Sequence, residues 1–140
     1  MSNASCVAVP GASGTLRGVL IEGLPGSGKS SLVLALIDRG AVLVGDDGVT
    51  LVRRGERLWA APPPNTAGRL EIRNVGLIEL PAAEAPVSLV LRLEEGAPRF
   101  IDKADETDLE GLPLPLVRLW PGSPMLALRA EWALKLYGVA

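Results

Sequence analysis

The segment GLPGSGKS at residues 23–30 constrains this chain more than any other feature. It satisfies the pattern G-x-x-x-x-G-K-[ST]. The apolar run GVLIEG precedes it, and a helical pattern follows from Lys29 to about Arg39, with Leu32, Ala35 and Leu36 on one side and Gly40 as a stop. The glycines allow positive φ and close backbone approach, so successive N–H groups at a helix N-terminus can face an anion. Lys29 is then placed to reach terminal phosphate oxygens, and the Ser30 hydroxyl to ligate magnesium. Gly23, Leu24, Pro25, Gly26, Ser27, Gly28, Lys29, Ser30 and Ser31 are therefore expected to hold a nucleotide.

Asp46 and Asp47 close the apolar run AVLVG soon after that helix. This predicts a β-α-β unit with both aspartates at the C-terminal edge of a parallel strand, where open α/β sheets bind ligands. Magnesium needs a carboxylate and a hydroxyl nucleophile needs a base, so two carboxylates can divide those roles. The residues alone do not say which takes which.

Composition narrows the alternatives. The 140 residues suit one domain, and no apolar run approaches the roughly 20 residues of a membrane span. With 14 basic and 16 acidic residues, no nucleic-acid partner is implied. A single cysteine excludes an intrachain disulfide, and the N-terminus has no basic-then-apolar leader, so a cytoplasmic setting is expected. Histidine is absent, which removes it as base, ligand or phospho-carrier.

Strands are predicted at Cys6–Val9, Gly18–Glu22, Ala41–Val44, Val49–Arg53, Arg57–Ala60, Val75–Glu79 and Val87–Leu93. APPPN at 61–65 cannot be a central strand. A second helix is expected over Pro124–Tyr137 with Met125, Leu128, Trp132 and Ala133 inward, and Glu94–Gly111 reads as a mobile acidic loop. RRGER at 53–57 should tip a solvated hairpin, Cys6 should be inert packing, and Trp59, Trp120 and Trp132 should lie in the core or an interface.

The short interval from the glycine-rich loop to the aspartate pair, together with GRLEIRNVGLI at 68–78, resembles the C-terminal kinase domain of HPr kinase/phosphorylase. That family is structurally akin to the P-loop phosphoenolpyruvate carboxykinases. Its G-x-S-G-x-G-K-S loop is followed at this interval by L-V-x-D-D and then by E-[IV]-R-G-[ILV]-G, a likeness spanning roughly residues 3–138. The resemblance implies an α/β P-loop domain with a mixed sheet, a P-loop helix and a C-terminal helix. It also implies the short form without an N-terminal domain, seen in alphaproteobacteria, and a hexamer. The activity implied is ATP- and magnesium-dependent phosphorylation of a seryl hydroxyl on an HPr-like carrier of the phosphotransferase system, with phosphorolysis in reverse. Lys29, Arg73 and one of Asp46 and Asp47 would be catalytic, the aspartate as base, and Ser30 and Glu71 would ligate the metal.

Several positions depart from the family pattern. Asn3 stands where a catalytic histidine is expected, Asn74 replaces the signature glycine, Leu24-Pro25 replaces the loop's usual pair, and Ser31 replaces an acidic residue. Near LVRLWPGSP, Trp120 and Ser123 occupy positions around an expected arginine, with Arg118 as a substitute. Asparagine cannot titrate near neutrality. Either a non-native N-terminal junction replaced the histidine or its function is lost, so the alternative to an active kinase is a degenerate member that binds nucleotide as a sensor or interaction module with little or no catalysis; a small-molecule kinase is a third reading.

Overall fold

The computed structural model describes residues 3–140. Three hairpins organise the first part of the chain: β1 (Ser5–Pro10) with β2 (Leu16–Gly23), β4 (Thr50–Arg54) with β5 (Arg57–Ala61), and β6 (Arg69–Ile72) with β7 (Gly76–Glu79). Helix α1 (Lys29–Asp38) and strand β3 (Val42–Gly45) fall between the first two. β8 (Ala85–Leu93), β9 (Asp105–Leu109), β10 (Leu112–Leu119) and helix α2 (Leu126–Tyr137) follow. The main sheet runs β3-β1-β2-β8-β10-β9, with the β4–β5 hairpin joined through β5 to the start of β8. It is mixed, as expected: β2, β8 and β10 are parallel, and β1 and β9 are antiparallel to their neighbours.

Both faces of this sheet are covered, which is why its strands read as near-continuous apolar runs. On one face Val7, Val19, Ile21, Leu89, Leu91 and Val117 pack under α1 and α2. On the other, Cys6, Ala8, Leu20, Val90 and Leu116 pack with Val49, Leu58 and Ala60 around the β4–β5 hairpin. Helix α1 ends as predicted at Gly40: its φ is 108, and Ala41 N–H bonds back to the Leu36 carbonyl, a left-handed cap only glycine adopts freely.

Four expectations need correction. β3 is not in a parallel ladder. It pairs antiparallel with β1, its one parallel contact being an isolated bridge from Leu43 to Ala82. Because β1 turns back between them, β3 still runs in the direction of β2, so Gly23 and Gly45 end at the same edge of the sheet. The supposed loop 94–111 contains strand β9, whose charged residues lie on a solvent-facing sheet edge. β10 was hidden by Pro113 and Pro115, which sit before Leu116, where pairing to β8 begins, so neither proline is asked for that ladder bond. In α2 the inward face is Leu126, Ala130, Ala133 and Leu134, while Met125 and Trp132 are exposed; small alanines let the helix lie close to the sheet. Trp120 is exposed as well and Trp59 is half-buried beneath the Arg54 guanidinium, so none of the three tryptophans is in this chain's core.

Leu91 is fully buried in central strand β8, whereas Leu77 is exposed on the β6–β7 hairpin. Leu91→Ala is expected to lower the unfolding free energy by about 3 kcal/mol, read as a lower urea midpoint, and Leu77→Ala to change it by about 0.5 kcal/mol or less.

Candidate functional site

The loop after β2 is shaped by its backbone. Ser27 N–H closes a turn onto the Leu24 carbonyl at 3.0 Å. Gly26 and Gly28 take φ of 80 and 105, and the first α1 bond runs from Leu32 N–H to Gly28 at 3.0 Å. A Cβ at Gly23 would meet Ser27 Oγ and crowd the Cβ atoms of Ser27 and Leu93, so any constraint on that glycine is one of space rather than of φ. No side chain caps α1 and no acid lies in its first turn, which leaves the helix N-terminus open to an anion. Ser27 Oγ is buried without a hydrogen-bond partner. An orphaned hydroxyl inside an uncapped glycine-rich loop fits a phosphate group.

The acidic pair meets this loop. Ser30 Oγ donates to Asp46 Oδ1 at 2.7 Å, and Ser5 Oγ donates to the same oxygen at 3.2 Å. Asp47 N–H in turn donates to Ser5 Oγ at 2.9 Å. Lys29 Nζ lies 3.7 Å from Asp47 Oδ1 and donates to the Asn3 backbone carbonyl at 3.4 Å. The lysine side chain is 10% exposed and that of Asp47 is 76% exposed. Asp47 also carries φ 54, in the left-handed region. The two aspartates are therefore unlike: Asp46 is held by two hydroxyls, while Asp47 presents its carboxylate outward beside the lysine.

Not every expected residue joins this group. Glu71 and Arg73 lie on β6 and its turn; the hairpin packs on α1 through buried Leu70, and neither side chain forms a hydrogen bond or ion pair among the described residues. No cluster of three acidic, cysteine or histidine side chains able to hold a metal exists among the described residues. A hard cation here could draw on Ser30 and Asp46 and would need phosphate oxygens or water for the rest, which suits magnesium. Asn74 adopts φ 70 in the β6–β7 turn, the conformation a glycine would take freely and that asparagine tolerates. Arg118 is committed to Glu94 at 2.9 Å and to Asp105. A cleft of about 680 Å³ opens beyond the loop, lined by Leu24, Pro25, Leu93 and Pro121 and flanked by the Glu22–Arg92 ion pair at 3.0 Å. Burial pushes the neighbouring Cys6 thiol up to about 12, consistent with inert packing.

Residues 6–94 match the family model of the HPr serine kinase C-terminal domain. The chain belongs to this family. It is 37% identical to the HPr kinase/phosphorylase of Clostridium novyi, over 73% of this chain and 37% of that protein. To the HPr kinase/phosphorylase of Streptococcus thermophilus it is 34% identical, over 73% of this chain and 38% of that protein. The chain thus spans under two-fifths of the length of these relatives. The solved structure of the Hpr(Ser) kinase/phosphatase from Coxiella burnetii superposes with a TM-score of 0.75 at 26% identity, covering 95% of this chain and 87% of that one. The expected fold of the HPr kinase type is confirmed by this match.

Sequence reasoning overlooked Ser5 and the Glu22–Arg92 pair, whereas Ser27 was among the residues expected to hold a nucleotide. A small hydroxyl inside the apolar strand SCVAV was the available signal for Ser5, because a buried polar group must find partners. Asp46→Ala removes the acceptor of two hydroxyls and is expected to cost about 2 kcal/mol in urea unfolding. Asp47→Asn loses one exposed ion pair and is expected to change stability by about 0.5 kcal/mol or less. At pH 8 Cys6 stays protonated below its raised pKa, so aromatic disulfide reagents should label it only after denaturant is added.

Proposed function

We propose that this chain is an ATP- and magnesium-dependent serine kinase acting on an HPr-like phosphocarrier protein of the phosphotransferase system, with phosphorolysis as its reverse reaction. The observation that carries this is the meeting of Lys29, Ser30, Asp46 and Asp47 at one sheet edge, in a chain of the HPr kinase family. When bound, ATP supplies the phosphoryl group and magnesium offsets its charge. Loop amides from Gly23 to Ser31 and the Lys29 ammonium hold the phosphates, and the nucleoside lies toward the cleft beside Leu24 and Leu93. Ser30, oriented by Asp46, and Glu71 would hold the metal.

Asp47 is the base. Its carboxylate is outward and accepts from no hydroxyl among the described residues, whereas Asp46 Oδ1 already accepts two. It takes the proton of the seryl hydroxyl as that oxygen bonds to the γ-phosphorus and the bond to the departing ADP breaks, and Arg73 would meet the incoming carrier. Most of the rate enhancement comes from positioning and charge neutralisation. The setting is cytoplasmic, and a homo-oligomer, hexameric by family resemblance, would cover the exposed Trp132 and Leu136 of α2.

Asn3 favours a second reading, a nucleotide-binding sensor with little catalysis. Its backbone carbonyl still contacts Lys29, but its side chain cannot titrate as histidine does. Incubation with ATP, magnesium and a cognate carrier should yield phosphoserine, and Asp47→Asn should slow its appearance about 100-fold or more. The same variant should keep the ATP-induced rise in Tm that Lys29→Ala loses. ATP-induced stabilisation with no phosphoprotein from the unaltered chain would decide for the sensor.

A further inference from the structure

We propose that Ser5 is a positioning residue that fixes Asp47 for proton abstraction, an inference that rests on Asp47 being the base. Ser5 opens β1 and is 0% exposed. A hydroxyl has one proton to donate and lone pairs to accept with. Ser5 directs its proton to Asp46 Oδ1 at 3.2 Å and accepts from Asp47 N–H at 2.9 Å, so a single buried oxygen links the two aspartates.

Asp47 has need of that link. Its φ of 54 lies in the left-handed region, which aspartate visits more readily than most residues but only as a minor state, so a native contact is needed to select it. Its side chain cannot impose it, being 76% exposed with one ion pair at 3.7 Å. The residue that follows, Gly48, has no side chain to resist rotation. The inward amide bond to Ser5 therefore holds the backbone while the carboxylate faces out. Without the Ser5 hydroxyl, residue 47 relaxes toward ordinary φ and its carboxylate swings away from the attacking oxygen. Ser30 still donates to Asp46 at 2.7 Å, and Lys29 still reaches the Asn3 carbonyl, so the nucleotide-holding groups stay in place. The loss falls on transfer rather than on nucleotide binding.

The test uses Ser5→Ala, Ser5→Cys and Ser5→Thr in the full chain, with two readouts. The first is amide hydrogen exchange of Asp47 by NMR in ligand-free protein, which requires no catalysis. The second is transfer from ATP to a carrier serine, resolved into kcat and the KM for ATP. Ser5→Ala is expected to speed Asp47 exchange about 10-fold or more, and to lower kcat about 10- to 100-fold with KM changed about threefold or less. Ser5→Thr, which keeps the hydroxyl, should restore both. Ser5→Cys keeps the volume but bonds poorly, and should reproduce the alanine result where alanine impairs folding. Unchanged exchange and kcat in a folded Ser5→Ala or Ser5→Cys protein overturns the proposal, as do equal losses in Ser5→Thr. Transfer that survives Asp47→Asn overturns instead the assignment of the base, and the two failures are read from different variants.

Discussion

One carboxylate oxygen, Asp46 Oδ1, joins the parts of the chain on which the proposed chemistry depends. It sits just past β3 and accepts from Ser30 in the first turn of α1 and from Ser5 in β1. Three elements separated by loops are thereby set in register at one corner of the sheet. The arrangement needs β1 between β2 and β3: a hairpin before the glycine-rich loop brings the antiparallel strand back, so that the chain leaving α1 must dock on its far side. Both Gly23 and Gly45 then end at the same edge, and the aspartates face the loop although their strand has no parallel ladder to speak of.

The half of the site that would hold phosphate was legible because it is written in backbone requirements. Glycines at 26 and 28 answer to φ and glycine at 23 to crowding by Ser27 and Leu93, requirements that glycine meets most freely, so the pattern is visible in the sequence. The aspartate pair was legible for a different reason, since its distance from the loop is fixed by one helix and one short strand. What escaped was whatever depends on a partner far along the chain. Ser5 acquires its meaning from residues 41 and 42 positions away, and no local pattern marks it. The same holds for Glu22 and Arg92, which meet because β2 and β8 are parallel neighbours.

The errors in the fold have a common physical origin. Charge in β9 argues against a strand only where it is central, and β9 is the sheet edge, where charged side chains point to water. Pro113 and Pro115 of β10 precede the pairing to β8 that starts at Leu116 and have β9 as their one strand neighbour, so local propensity was overridden by position. In α2 the largest apolar side chains were assigned inward. The sheet surface admits Ala130 beside the expected Ala133, and the bulky Trp132 is turned out, its ring 4.6 Å from the Lys135 ammonium. Size predicts burial only when the facing surface leaves room for it.

The departures from the family pattern sort by whether a position is used through its backbone or through its side chain. Asn74 stands for a glycine but takes φ 70, so the turn geometry is kept by the residue type that best tolerates it. Leu24 and Pro25 replace the usual pair within a turn whose closing bond, from Ser27 N–H to the Leu24 carbonyl, is indifferent to the Leu24 side chain. Asn3 offers Lys29 a backbone carbonyl, which any residue there would provide. In each case the geometry that would serve nucleotide binding survives the substitution. What Asn3 cannot replace is the proton chemistry of an imidazole, and in a chain with no histidine no other side chain titrates in that range by its ordinary value. On the proposed function the departures therefore weigh on transfer rather than on the loop geometry that would bind nucleotide, and they place the proton with Asp47 alone.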